Sequence, residues 1–159
     1  IKDDDNPPLW ESGAILRYLA SAYAPDAFWP ADPVARAHVD RWAEWAKINV
    51  ALNFTAPVFW RIVRTAPSKR DPVAIRAAMK VLDRYLDIAE TQLQQTPYLD
   101  GSDLTLADIQ FGHSLYRYFT IAIERHDRPA LTAYYDTLVQ RQAFSDHVMA
   151  SYDELFVAD

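Results

Sequence analysis

Apolar residues recur at steps of three and four along most of this chain, and only its opening residues break the rule. Between Ser12 and Ala24, the residues Ile15, Tyr18, Leu19, Ala22 and Tyr23 share one face of a helix, while Pro7 and Pro8 hold the preceding segment extended. A helix is therefore predicted to begin near Ser12, where a short extended run breaks at Glu11-Ser12. A second seam, Val39, Trp42, Ala46, Asn49 and Asn53, turns polar at its two asparagines and predicts a long helix over roughly 33–56. Pro57 lacks a backbone donor and is expected to kink or end that helix ahead of the apolar run from Val58 to Val63. Ile75, Met79, Leu82, Leu86, Ala89 and Leu93 alternate fours and threes, which predicts another long helix over roughly 72–95.

Start signals support these helices. Asp32-Pro33 and Asp71-Pro72 each place a capping side chain ahead of a proline at the first helical position. Thr105 and Asp108 form a capping box with Asp in place of the usual Glu, a structural pair whose loss is expected to cost about 1 kcal/mol or more per residue. Leu104 is expected to staple onto Ile109. Ile109, Gly112, Tyr116, Phe119 and Ile123 are predicted as the stripe of the most buried helix, with Gly112 allowing close contact to a neighbour. A shorter helix follows Pro129 through Leu131, Tyr134 or Tyr135, Leu138 and Val139, and Ser145 is read as the cap of a last one reaching about Tyr152.

The opening Ile1 to Asn6 reads as the last residue of a strand and a polar turn into a second short strand. Two short strands are not stable alone, and the chain does not begin with Met, so an upstream segment is expected. No further strand pattern follows residue 12. The two prolines and the aromatic pair between Ala24 and Pro30 suggest a packed connector, dividing the chain into residues 1–24 and an all-α unit over 25–159.

Composition narrows the function classes. The 159 residues are 50% hydrophobic with a net charge of −6, enough for a real core and the wrong sign for nucleic acid or an anionic membrane surface. No apolar run approaches a membrane span and no signal peptide opens the chain, so a cytoplasmic protein is expected. There is no cysteine, hence no thiol nucleophile or disulfide in these residues. His38, His113, His126 and His147 lie far apart and make no metal-ligand spacing, and the glycines are isolated, which leaves no phosphate loop.

Candidate chemistry gathers at Glu11-Ser12. A helix start offers unpaired N–H groups and a positive field, so the Ser12 N–H and hydroxyl can hold a carboxylate while Glu11 takes an ammonium, which suits the zwitterionic end of an amino acid. The same two residues could instead simply cap their helix. Asn49 and Asn53 are open to two readings as well: they satisfy backbone groups at a kink, or, with Phe54 and Phe59, they line an acceptor pocket beside Pro57.

The wording Leu9-Trp-Glu-Ser-Gly-Ala-Ile-Leu-Arg-Tyr-Leu-Ala20 resembles the end of the thioredoxin-like domain of cytosolic glutathione transferases, whose Glu/Gln-Ser pair binds the γ-glutamyl end of glutathione. The stretches from Trp29 to Trp42, from Gly101 to Ile109 and from Arg128 to Phe144 resemble the same family, and Trp42-Ala-Glu-Trp45 with Phe59-Trp-Arg-Ile-Val-Arg-Thr65 is similar to its bacterial, theta-like branch. The resemblance implies the family's C-terminal helical bundle, preceded by the last β-hairpin and helix of a thioredoxin-like domain. It implies glutathione as co-substrate, a homodimer formed through the two long helices, and transfer of the glutathione thiolate to a small electrophile. The Ser, Tyr or Cys that activates the thiol would lie upstream, so no catalytic residue is assigned. The fold also occurs in non-catalytic scaffold modules and in glutathione-dependent isomerases, which stand as the alternatives.

Overall fold

The computed structural model describes residues 1–159 as an all-α array in which one interrupted helical run and one long helix carry the rest. Helix α1 spans Ser12–Tyr23 and α2 spans Pro33–Trp45, after which the chain stays helical through a π-helical turn at Ala46–Ala51, α3 at Leu52–Phe54, a second π turn at Thr55–Trp60 and α4 at Arg61–Val63. Helix α5 covers Pro72–Leu93, α6 Leu106–Thr120, α7 Pro129–Val139 and α8 Gln142–His147. Helix α6 lies in the middle, packed on α1, α2 and α7, and α5 packs on α7 and on the second half of the interrupted run.

The start signals act as their chemistry requires. Asp32 accepts from the Ala35 N–H at 2.8 Å, and Asp71 accepts from Val73 and Ala74 at 3.0 and 2.9 Å. The α5 stripe buries Met79, Leu82, Leu86, Ala89 and Leu93, as its spacing predicts. The connector packs onto the body: Trp29 is buried and donates its indole N–H to Ser21 at 3.0 Å, and the Phe28 carbonyl accepts from Leu106 at 3.2 Å.

The interrupted run departs from expectation. Its buried seam is Val39, Ala43, Ala46, Val50, Phe54, Val58 and Ile62; Val39 and Ala46 lie on it as predicted, whereas Ala43, Val50 and Phe54 take the places expected of Trp42, Asn49 and Asn53. In a regular α-helix each step of four turns the face by about 40°, so four such steps would carry it about 160° around. The two π turns remove that drift. Their bonds reach one residue further back, as where the Leu52 N–H meets the Lys47 carbonyl, and the wider turn keeps a four-residue repeat facing one way. Pro57 lies inside the second π turn and does not end the helix, because the shifted bonding relieves the clash between its ring and the preceding turn.

Other expectations are corrected. The first ten residues form no strand; pairing is confined to Ile1 and Leu9, which exchange hydrogen bonds of 2.7 and 2.8 Å. In α1 the buried residues are Gly13 and Ala20, whereas Leu19, Ala22 and Tyr23 are exposed, because only the narrow side of the helix meets α2 and α6. The α6 stripe keeps the predicted Gly112 but is otherwise rotated: Ala107, Phe111, Ser114, Leu115 and Tyr118 are buried, Ile109 is exposed, and the helix ends at Thr120. Ser145 sits inside α8, donating to the Gln142 carbonyl at 2.9 Å, and does not cap it.

Gly112 does bring α6 close to α7. A methyl group there would lie 2.8 Å from Leu138 Cδ1 and 3.4 Å from Phe144 Cε2. Gly112→Val is therefore expected to destabilise the fold by about 2 kcal/mol through overpacking, outweighing any gain in helix propensity; a urea melt no lower than that of the unaltered protein would show that the contact yields.

Candidate functional site

The junction at Glu11-Ser12 is built by a strained residue and an open helix end. Glu11 is the residue before α1 and holds φ at 68°, a left-handed conformation that an L-residue seldom adopts outside special sites. Ser12 is the first helical residue, so it does not cap α1 in the usual way, and no side chain caps that first turn. The contrast with α2 and α5 is direct, since both have an aspartate on those amides. The Ser12, Gly13 and Ala14 N–H groups are left without a capping side chain at the positive end of the helix dipole.

Charges around this end come from the neighbouring helical run. Lys47, in the first π turn, places Nζ 3.7 Å from Glu11 Oε2, and a Cβ on Gly13 would sit 3.4 Å from the same ammonium. The pair is half exposed and contributes little to stability, but it sets a cation beside the amides of α1. Arg17 fixes α1 against α2 through Asp40 at 2.8 Å and through Glu44. Lys47 escaped the sequence reading because it belongs to another element; no local pattern announces a contact of this kind.

Ser12 also opens one end of a groove of about 330 Å³ between α1 and α6, lined by Ile15, Leu16 and Leu19 on one side and Ile109, Gln110 and His113 on the other. The exposed Leu19 and Ile109 are thus not stray surface residues; they face one another across this groove.

Asn49, Asn53, Phe54 and Phe59 do not line the α1–α6 groove. The Asn53 side-chain amide donates to the Asn49 carbonyl at 2.9 Å and more weakly to that of Ile48 at 3.4 Å, taking up backbone acceptors where the first π turn hands back to α geometry. Phe54 and Phe59 are fully buried with ring centroids 6.0 Å apart.

Thr105 and Asp108 form the expected capping box, but its weight falls on one arm. Asp108 Oδ2 accepts from the Thr105 N–H at 2.8 Å and from the Thr105 hydroxyl at 3.0 Å, so the hydroxyl is turned to the carboxylate. Its other oxygen accepts from the Leu99 N–H at 3.0 Å and the Tyr134 hydroxyl at 2.9 Å, two contacts outside the box. No cluster of His, Asp or Glu side chains is arranged to hold a metal ion, and no helix is long and apolar enough to cross a membrane.

Comparison with known proteins places this geometry in a class. Residues 72–137 match the family model for the glutathione S-transferase C-terminal domain. The chain is 31% identical over 150 residues to Escherichia coli glutathione S-transferase GstB, covering 94% of this chain and 72% of that protein. It superimposes on the theta class glutathione S-transferase of Xanthomonas axonopodis pv. citri with a TM-score of 0.84 at 41% identity, over 90% of this chain and 75% of that one; the same enzyme with glutathione bound gives 0.83. Elongation factor 1-gamma 2 of Oryza sativa is 28% identical over 147 residues, which make up 34% of its length. The chain belongs to the glutathione S-transferase family, and within it resembles the bacterial theta-like members.

Proposed function

We propose that this chain serves a glutathione transferase, conjugating the glutathione thiolate to a small electrophile, and that Glu11 and Ser12 hold the γ-glutamyl end of the tripeptide. The observation that carries the reading is the uncapped start of α1, where no side chain takes the Ser12, Gly13 and Ala14 amides beside a strained Glu11. The glutathione carboxylate would accept from the Ser12 hydroxyl and N–H, with the Lys47 ammonium close by, and its amine would face Glu11. Anchoring that remote end restrains the thiol relative to the acceptor and so lowers the entropic part of the barrier. These residues position; the group that activates the thiol is not among them. Residues 1–24 act with the glutathione-binding part and 25–159 as the helical unit. A cytoplasmic homodimer fits the exposed Ile48, Leu52, Val81 and Ile88 on the two long helical runs, more apolar surface than a helix facing water needs.

The kinship with elongation factor 1-gamma supports a second reading, a scaffold module without catalysis. Calorimetric titration of glutathione, with the chain carried behind a thioredoxin-like domain so that the whole tripeptide has partners, separates the two. Ser12→Ala is expected to weaken binding by about 1–3 kcal/mol, and Glu11→Gln to weaken it as well, with thermal melts little changed. Affinity per folded molecule that is indifferent to both substitutions would remove the assignment.

A further inference from the structure

The cations of this chain are sorted by place. Residues 61–80, which end the α2–α4 run, turn and begin α5, hold six Lys or Arg against one Asp, a net charge of +5 in a chain of −6. The remaining residues therefore carry −11. Arg61 and Arg64 precede the turn, Lys69 and Arg70 lie in it, and Arg76 and Lys80 follow in α5, where the helical rise keeps them within about 12 Å of it. All six are at one end of the molecule.

The ion pairs of the structure involve none of these six. Arg70 donates to the Thr65 carbonyl at 3.1 Å and Arg64 lies 4.6 Å from the centre of the exposed Trp60 ring, contacts that orient the guanidinium groups without neutralising them. Asp71, the one acid, is committed to the Val73 and Ala74 N–H groups. Nearby, Asp83 is taken by Arg128, which leaves Glu124 against the added charge of Arg125. The patch also turns from the dimer surface proposed above, since Arg76 stands about 140° around α5 from Val81 and about 120° from Ile88.

An acidic piece of peptide already rests at its edge. Past the short turn at Asp153–Leu155 the chain is extended at Phe156; the Val157 N–H then donates to the Val63 carbonyl at 2.9 Å, and Asp159 accepts from the Ser68 N–H at 2.9 Å and the Ser68 hydroxyl at 2.6 Å. The Ser68 donors, with Arg70 adding a smaller share, hold that carboxyl below its ordinary value. Lys69, Arg76 and Lys80 are left without a carboxylate.

We propose that the α4–α5 turn and its basic flanks dock a short acidic segment of a partner polypeptide, laid beside the chain's own end. Size decides among polyanions. Charge is screened over about 8 Å at physiological salt, so an extended segment of about five or six residues, about 17–20 Å long, meets the patch alone. A nucleic-acid rod or a membrane plane reaches beyond it into the field of the other −11 charges. Trp60 and Val73, 41% and 66% exposed, offer apolar contact to a side chain set among the acids.

Fluorescence anisotropy at low ionic strength tests this, with a labelled hexapeptide of four glutamates around a Phe-Leu pair and the same peptide carrying glutamine for glutamate. The acidic peptide is expected to bind about tenfold or more tighter than the glutamine one. Lys69→Glu with Arg76→Glu, two exposed side chains without hydrogen bonds, is expected to abolish that preference. Lys2→Glu with Arg141→Glu, the same change of net charge at exposed positions elsewhere, is expected to alter affinity less than about threefold. Thermal melts check that both double variants are folded, and Lys69→Gln with Arg76→Gln replaces the first pair if the reversal unfolds it. Equal binding of the two peptides, equal losses in the two double variants, or tighter binding of a single-stranded oligonucleotide or of phosphatidylglycerol vesicles through Lys69 and Arg76 would each overturn the proposal.

Discussion

Replacing Asp108 by alanine is expected to lower the free energy of unfolding by about 3–5 kcal/mol, several times the effect of losing an ordinary helix cap. The side chain is 1% exposed and its two oxygens accept from four donors. Only Thr105 belongs to the helix start; the Leu99 N–H comes from the loop before it and the Tyr134 hydroxyl from α7. Alanine leaves those donors in a dry interior, and each unsatisfied group costs about 1–3 kcal/mol. Asp108→Asn keeps the shape but presents an NH₂ where Thr105 offers two donors, so a smaller but definite loss is expected. Urea melts of both variants measure this, and a loss of about 1 kcal/mol for alanine would confine Asp108 to a local cap.

The same site has a pH signature. Burial holds the Asp108 carboxyl above its ordinary value, with hydrogen bonds from Thr105, Leu99 and Tyr134 offsetting part of the effect. A folded-state pKa above the unfolded one means that the native protein binds the proton more tightly. The contribution of this group to stability is therefore fully present below the ordinary carboxyl range and declines as pH rises through the folded-state value, beyond which it is level. The stability gap between the native protein and Asp108→Ala should narrow over that interval. Tyr134, pushed well above its ordinary value by burial and by Asp108, keeps its proton throughout and remains a donor.

Arg128→Met is expected to cost about 2–4 kcal/mol. Arg128 is 4% exposed, and its Nη2 reaches Asp83 Oδ1 at 2.9 Å, the Asp83 carbonyl at 3.1 Å and Asp87 Oδ1 at 2.7 Å. Removing the cation strands the Asp83 carboxylate, which is largely covered, whereas Asp87 is mostly exposed and loses little. Arg128→Met combined with Asp83→Leu should therefore recover part of the loss, because a methionine and a leucine of similar bulk remove the uncompensated charge. Thermal melts of the single and double variants provide the measurement; a double variant as unstable as the sum of the two single ones would show that the pair does not interact.

What the sequence makes legible follows from how far each signal reaches along the chain. Asp32, Asp71 and the α5 stripe were readable because a cap and its amides lie within three residues and a regular α-helix repeats its face predictably. In the α2–α4 run a period of 3.6 residues places Val39 and Ala46 correctly but selects Asn49 and Asn53 where Val50 and Phe54 are buried, and the unbroken fours at Ala46, Val50, Phe54, Val58 and Ile62 are the sign of wider turns. On α6 the apolar residues outnumber the positions a single stripe can hold, and Ile109 was assigned inward when it borders a groove. At the candidate site, the start of α1 and the identity of Glu11 and Ser12 were evident locally. The left-handed backbone at Glu11 has no sign in the residue type, and the approach of Lys47 comes from an element more than thirty residues away. Arg128 gave no signal at all: its partners are 41 and 45 residues distant.

The last of those long-range arrangements extends to the next turn of chain. Glu90, on the same side of α5 as Asp83 and Asp87, accepts from the Ala130 and Leu131 N–H groups at 3.1 and 2.8 Å, so the first turn of α7 is capped by α5 and not by a residue of its own. Helices toward the end of a chain ordinarily fray first and exchange their amide protons through small local openings. Here α7 cannot detach without stripping Asp83 of Arg128, Glu90 of two backbone donors and Asp108 of the Tyr134 hydroxyl. The amides at its start therefore belong to the cooperative unit of the core, exchanging through the opening that releases α5 and α6 rather than through one of their own.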